Sequence, residues 1–305
     1  MPEKLYFYPL IQNMQILKML NGNIFMKHLF IFIAIILFAV ACKQEDKPFV
    51  PDPGVVSFTF RDQFAEDVPG TLDLIRDMGI TNIEFSNLFG VPADALRRML
   101  DERGMVCTSY GVGYNNLLND IDLVIDNAKL LGARHVRLGS LPRPDGVFDQ
   151  ELVEVAAANF NRIGKALNDH GLHFSYHNHA FEFAPHADAT LYHYLIELTD
   201  PRYVSFEIDT YWVMAAGYDP VELLETYPDR FRLMHLKDLK KGVEGHYQLP
   251  SNRENDVVLG TGQVDWPAVL RAAQNTRIEY YYIEDETPDV VERVPLSREY
   301  IMGVK

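Results

Sequence analysis

Two short stretches hold most of the side chains that could do chemistry. In VSFEIDTYWV, residues 204–213, Ser205, Glu207 and Asp209 share one parity, while Val204, Phe206 and Ile208 share the other. In FRLMHLKD, residues 231–238, Leu233, His235 and Lys237 face one way and Met234 and Leu236 the other. Period-two alternation joined by a helix-sized connection is the pattern of parallel strands covered by helices. Polar residues gathered at the carboxyl ends of such strands are where α/β folds place their chemistry. The same position elsewhere supplies Glu84, then His177 and His179 with Glu182 just beyond, then Glu284 and Glu286; Trp212 follows Asp209. Two carboxylates and one or two imidazoles converging from adjacent strands can hold one divalent ion, with Mn, Co, Zn, Fe or Mg all compatible. Such an ion polarises a carbonyl and stabilises the enediolate left when a neighbouring C–H is deprotonated, and a flanking carboxylate or Lys moves the proton.

Each residue alone has a blander reading. A single His at a strand end is more often a hydrogen-bonded structural residue than a ligand. The Lys237–Asp238 pair reads as a solvated strand end, and Trp212 as packing or as a sugar-stacking platform. Four such strand ends in one ring are harder to explain structurally.

The elements that must position these residues recur at regular intervals. Strands are expected at 55–60, 82–86, 105–110, 135–139, 173–179, 204–209, 231–236 and 279–284. Helices are expected at 66–78, 92–103, 116–131, 149–169, 190–198, 220–226, 266–274 and within 288–302. Gly79, Gly104, Gly132 and Gly171 punctuate the helix ends. Eight strand–helix units in this length match a (β/α)8 TIM barrel. No GxGxxG or GxxxxGK[ST] follows any strand, so no nucleotide cofactor is indicated. The segment 240–263 is long for a βα connection, which is read either as a lid or as an ordinary surface insertion.

The motifs HNHAFEF (177–183), EIDTYWVMAAG (207–217), HLKD (235–238), LGTGQVDWPAVL (259–270) and YYIEDE (281–286) together resemble the sugar phosphate isomerase/epimerase family of xylose isomerase-like TIM barrels. The likeness runs from about Val55 to Ile301. It implies one divalent metal held from strands five to eight, with Asp209, His235 and Glu284 on ligand positions. Where many sugar epimerases of that family carry a Glu on strand five, this sequence has His177. A His–Asp–His–Glu shell keeps an ion but lacks one of the two carboxylates that a symmetric epimerase uses. The pattern is closer to the inosose dehydratase-like branch and to relatives acting on keto-sugars. Lys237, His179 and Glu284 are the expected catalytic residues; Glu84, Arg137, Glu182 and Trp212 are expected to bind substrate. The expected activity is a sugar isomerase or epimerase working through an enediolate. The alternative is a dehydratase or lyase eliminating a β-substituent from a keto-sugar or 3-keto-glycoside. A non-catalytic carbohydrate-binding barrel and a DNA-repair endonuclease of the same superfamily are further readings, the last opposed by charge.

The chain has 305 residues, 48% hydrophobic and 23% charged, enough to bury a full core. Its formal charge of −15 argues against nucleic acid as a partner. Met26-Lys27-His28, the apolar run LFIFIAIILFAVA and Cys42 resemble a bacterial lipoprotein signal, with Ala39-Val40-Ala41-Cys42 as lipobox. An uncleaved anchor or a buried helix is the competing reading. Residues 1–25 then form an over-extended start, 26–42 the signal, 43–54 a charged, Pro-rich tether and 55–305 the barrel. This predicts export to the cell envelope, with a lipid on Cys42 as the only membrane attachment, and a small free sugar or keto-sugar rather than a sugar phosphate as partner. A homo-oligomer is left open. Cys107 has no predicted disulfide partner and is expected in the core.

Overall fold

The structure, a computed structural model, describes residues 50–305. Residues 1–49, including the lipobox and Cys42, lie outside the described residues. Eight parallel strands close into a barrel: β1 (Gly54–Val56), β2 (Asn82–Phe85), β3 (Val106–Val112), β4 (His135–Leu138), β5 (His173–His177), β6 (Val204–Asp209), β7 (Phe231–Leu236) and β8 (Tyr280–Ile283). Each pairs with its sequence neighbour, and β1 closes on β8 through Gly54 opposite Tyr282. The outer layer is α1 (Val68–Asp77), α2 (Ala93–Asp101), α3 (Ile121–Leu131), α4 (Gln150–Asn168), α5 (Leu191–Leu198), α6 (Pro220–Thr226), α7 (Trp266–Ala273) and α8 (Val290–Gly303). Short helices at Arg61–Glu66, Tyr114–Asn119 and Thr210–Ala215 are added after β1, β3 and β6. None of the described helices is long and apolar enough to cross a membrane.

The helices follow from local chemistry. Asp149 caps α4 by accepting the Leu152 N–H at 3.0 Å, and its Phe160 packs edge-on against Phe174 of β5 with ring centroids 5.0 Å apart. At the end of α3, Gly132 takes a left-handed φ of +78°, which a side chain would oppose. Cys107 is buried, and that burial pushes its thiol up to about 12. The end of the expected tether is already anchored: Val50 is buried and Asp52 pairs with Arg298 at 2.7 Å.

The inside of the barrel is unusually polar. TIM barrels normally fill this space with layers of branched apolar side chains. Here the Tyr282 hydroxyl of β8 meets Thr108 Oγ1 of β3 at 2.7 Å, and Ser175 and Ser205 share a hydrogen bond at 2.9 Å. Higher up, Arg137 of β4 reaches Glu84 of β2 and Glu207 of β6, contacts between strands that are not neighbours and so must cross the interior. The pairing register shifts just before Glu84, by one residue of β3, and just before Glu207, by one residue of β7. Bulges of this kind re-aim side chains next to active sites.

The Lys237–Asp238 strand end is not solvated, which excludes the blander reading of that pair. Both residues are buried. Asp238 accepts N–H groups from Gly260 (2.9 Å), Gly262 (3.2 Å), Val264 (3.1 Å) and the Trp266 indole (3.0 Å). Four donors satisfy the buried carboxylate and clamp the returning end of the long β7–α7 connection. Gly262 is required there, since a Cβ would come within 2.1 Å of Asp238 Oδ1.

Candidate active site

The carboxyl ends of β4 to β8 face a cavity of about 1120 Å³. Asp209 ends β6 and caps the helix after it: Oδ1 accepts the Trp212 N–H at 3.0 Å, and its backbone N–H donates to Asn178 Oδ1 at 3.0 Å. This fixes Oδ2, which lies 3.3 Å from His177 Nε2 and 3.6 Å from His235 Nδ1. His177 is held from its other side, with Nδ1 3.2 Å from the Gly139 carbonyl. Glu284 Oε2 stands 2.6 Å from His235 Nδ1.

These four residues form one group whose donor atoms lie within 4.8 Å of one another. His235 Nδ1 and Glu284 Oε2 are both buried and, despite their contact distance, neither has an aligned hydrogen bond. The four donor atoms lie close enough together to share one ion. Two imidazoles and two carboxylates are a fitting donor set for a divalent ion. His235 Nε2 meets Glu84 Oε1 at 2.9 Å, the carboxylate support that orients a metal-binding imidazole. A second cluster, Glu84, Glu207 and His235, also has ligand-like spacing, but Arg137 Nε already supplies it with a cation at 2.8 Å from Glu84 and 3.3 Å from Glu207.

Electrostatics separate the two buried glutamates beneath the site. Burial works to raise Glu84, but Arg137 and His235 outweigh it and hold the carboxyl at about 2. Burial, reinforced by the Glu84 charge, pushes Glu207 well above the usual carboxylate range, so it keeps its proton. One negative charge therefore faces Arg137, not two.

The structure brings most of the expected site residues together at the cavity and leaves several behind its wall. His179, Trp212 and Arg137 line the cavity with His177, His235 and Glu284. His179 lies past the end of β5, not within it, because the Glu182 carboxylate accepts its backbone N–H at 2.8 Å. Its ring stacks on Phe181 (5.5 Å between centroids) and leans on Trp212 (5.2 Å). Burial, then His177, push the His179 imidazole well below its ordinary value, so it is neutral.

Glu84 and Glu182, expected to bind substrate, do not line the cavity. Both are fully buried behind the cavity wall. Glu84 supports His235 and Arg137; Glu182 supports His179 and accepts the Tyr176 hydroxyl at 2.6 Å. Burial raises Glu182 to about 7. Lys237 is also withdrawn, 1% exposed, with Nζ 2.5 Å from Glu286 Oε1 and 3.7 Å from Glu284 Oε1. Burial opposes its charge, but Glu284, Glu286 and Asp256 hold the ammonium well above its ordinary value. The ammonium is thus held between Glu284 and Glu286 rather than at the cavity surface.

Apart from flagging the long 240–263 connection, sequence reasoning named none of the residues of the cavity's outer wall. Arg143, Phe148 and Phe181 come from the connections after β4 and β5, and Tyr247 to Ser251 from the long connection after β7. Loop residues carry no periodicity, so no strand-parity argument could find them. The long connection packs over the mouth: the His246 N–H donates to the Ala215 carbonyl at 2.7 Å.

A family model described as xylose isomerase-like TIM barrel matches residues 72–301. The chain is 28% identical to an inosose dehydratase of Geobacillus kaustophilus (strain HTA426) over 213 residues, 58% of this chain and 67% of that protein. Inosose dehydratases of Bacillus anthracis align over 32% of their length. Among solved structures, a sugar phosphate isomerase/epimerase from Parabacteroides distasonis ATCC 8503 superposes with a TM-score of 0.67 at 24% identity, covering 82% of this chain and 93% of that one. The IOLI protein, solved with a zinc atom, superposes with a TM-score of 0.65 at 13% identity, covering 82% and 96%. At these identities the solved structures establish the fold alone.

Proposed function

Because the chain belongs to the xylose isomerase-like TIM barrel family, we propose that it is a divalent-metal-dependent enzyme acting on a non-phosphorylated keto-sugar. In this reading it removes a proton beside the carbonyl and expels an oxygen substituent from the next carbon. It is an enzyme of the broad group that includes sugar isomerases, epimerases and dehydratases.

The observation that carries the elimination reading is where the acids stand. Of the residues lining the cavity, the carboxylates are Glu284 and Glu286, both on the β8 side, while the β5 side presents His177 and His179. An epimerase that exchanges protons between the two faces of an enediolate uses a base on each side. Elimination needs one base and one proton donor.

His177 Nε2, Asp209 Oδ2, His235 Nδ1 and Glu284 Oε2 are the atoms that would hold the ion. When bound, it supplies the positive charge that polarises a substrate carbonyl. His179, neutral and facing the cavity, accepts the proton from carbon. The C–H electron pair becomes the enolate double bond. As the carbonyl re-forms, that pair becomes the new C=C bond to the neighbouring carbon, the C–O pair leaves on the departing oxygen, and that oxygen takes the proton that His179 accepted. The balance is a keto-sugar converted to an unsaturated ketone plus water or an alcohol, with no oxidant required. Arg137, on the cavity floor with Nη2 3.4 Å from Ser86 Oγ, is placed to hold a substrate oxygen. Trp212 offers a ring face beside His179. Isomerisation or epimerisation shares the first step and differs in returning the proton to carbon.

The same reading assigns an envelope location and a lipid on Cys42, from the Met26–Cys42 sequence alone. It also favours free over phosphorylated substrates, which are mostly cytoplasmic. The direct test is chelation. Protein stripped of divalent ions is expected to lose all turnover of keto-sugars and to regain it with Mn, Co or Zn. Turnover indifferent to metal would contradict the reading.

A further inference from the structure

The cavity is larger than one sugar ring requires, and its chemistry changes with depth. Pockets of ~300–1,000 Å³ bury most of a drug-sized ligand. At about 1120 Å³ this one lies above that range. The floor is polar: His177, His235, Glu284 and Arg137. The outer wall is apolar and aromatic. Phe148 and Phe181 meet edge to face with centroids 5.2 Å apart, and Arg143 caps the Phe181 ring at 3.6 Å. Leu249 comes from the long β7–α7 connection, and Phe58, 39% exposed, stands at the rim after β1. A single sugar ring seated at the polar floor would leave this wall unused. A half-exposed aromatic wall continuous with a polar floor fits a molecule with a polar sugar end and a second ring having an apolar face.

We propose that this outer wall is an aglycone subsite, so that the substrate is a glycoside and the expelled oxygen belongs to a ring-bearing alcohol, not to water. This rests on the elimination reading. In that reaction the former C–H pair becomes the new C=C bond as the C–O bond breaks toward the mouth, the C–O pair leaves on the aglycone oxygen, that oxygen gains the proton taken up by His179, and the alcohol departs outward. The ring held against Phe148 and Phe181 is an aryl group or a second sugar; the two share a flat apolar face, and the experiment separates them.

The test uses full-length, metal-loaded protein and two readouts. The first is binding of methyl, phenyl and glucosyl glucosides, none of which turns over, followed by Trp fluorescence. The second is kcat/KM for the corresponding keto-glycosides. Phenyl or glucosyl ligands are expected to bind at least tenfold tighter than methyl. Phe148→Ala and Leu249→Ser are expected to remove most of that preference while leaving the methyl compound, which does not reach the outer wall, unaffected. A preference for phenyl alone identifies an aryl aglycone; one for glucosyl alone identifies a disaccharide; both support the subsite. Equal affinity for all three ligands, or a preference that survives both substitutions, would overturn it. If binding shows the preference but no keto-glycoside turns over, the subsite stands and the elimination chemistry fails.

Discussion

Asp209→Asn is expected to leave the barrel folded and abolish turnover. Asparagine keeps the side-chain oxygen that accepts the Trp212 N–H, so the helix cap after β6 survives. What is lost is the charge on the oxygen lying between His177 Nε2 and His235 Nδ1. Substituting groups that merely support metal ligands typically costs ~10–100-fold. Loss of a direct anionic ligand should exceed that, with kcat/KM down by more than about 100-fold. The check is metal content after gel filtration beside activity and melting temperature. A variant that keeps both a full equivalent of metal and wild-type activity would remove Asp209 from the site.

Arg137→Met is expected to produce the largest loss of stability. The guanidinium is buried among groups that cannot reach water, 2.8 Å from Glu84 and 3.3 Å from Glu207. It is the main reason Glu84 stays ionised in spite of burial. Removing one partner of a buried ion pair leaves an uncompensated charge and typically costs ~3–5 kcal/mol. The protein can limit the loss by protonating Glu84, but His235 would then lose the carboxylate that orients it. Activity should therefore fall along with stability. Urea denaturation of Arg137→Met, Glu84→Gln and the double variant separates the effects. The double variant should recover part of the loss, because the stranded charge is gone. Strictly additive losses would mean that Arg137 acts through packing alone.

The barrel was legible in the sequence wherever alternation was uninterrupted. Strands β6 and β7 and helix α6 lie at the expected boundaries because clean period-two runs and a Pro at the helix start leave no competing conformation. Boundaries slipped where local side chains redirect the backbone. After Val56 the chain turns into a 3-10 segment over Ser57–Phe60, although its apolar alternation reads as strand. β5 stops at His177 because the Asn178 side chain accepts the Asp209 N–H and Glu182 binds the next amide but one, ending the ladder.

The candidate site was legible as a set of residues, less so as a set of roles. Strand parity found His177, Asp209, His235 and Glu284 because residues at strand ends obey a period. Parity could not tell a side chain at the cavity from one beneath it, so Glu84 and Glu182 were expected at the substrate. Lys237 was expected to move protons, but its fate depended on Glu286 and on Asp256, brought near by the long connection. The Asp238 clasp was hidden for the same reason, since its donors lie 22 to 28 residues downstream.

The central claim is proton removal beside a carbonyl followed by loss of the neighbouring oxygen. The most direct measurement is proton NMR in D₂O of metal-loaded protein with a panel of keto-sugars and their glycosides. Disappearance of the proton beside the ketone together with appearance of free alcohol or a vinylic signal is the predicted result. Deuterium at that carbon with every substituent retained would contradict elimination and make the protein an isomerase or epimerase.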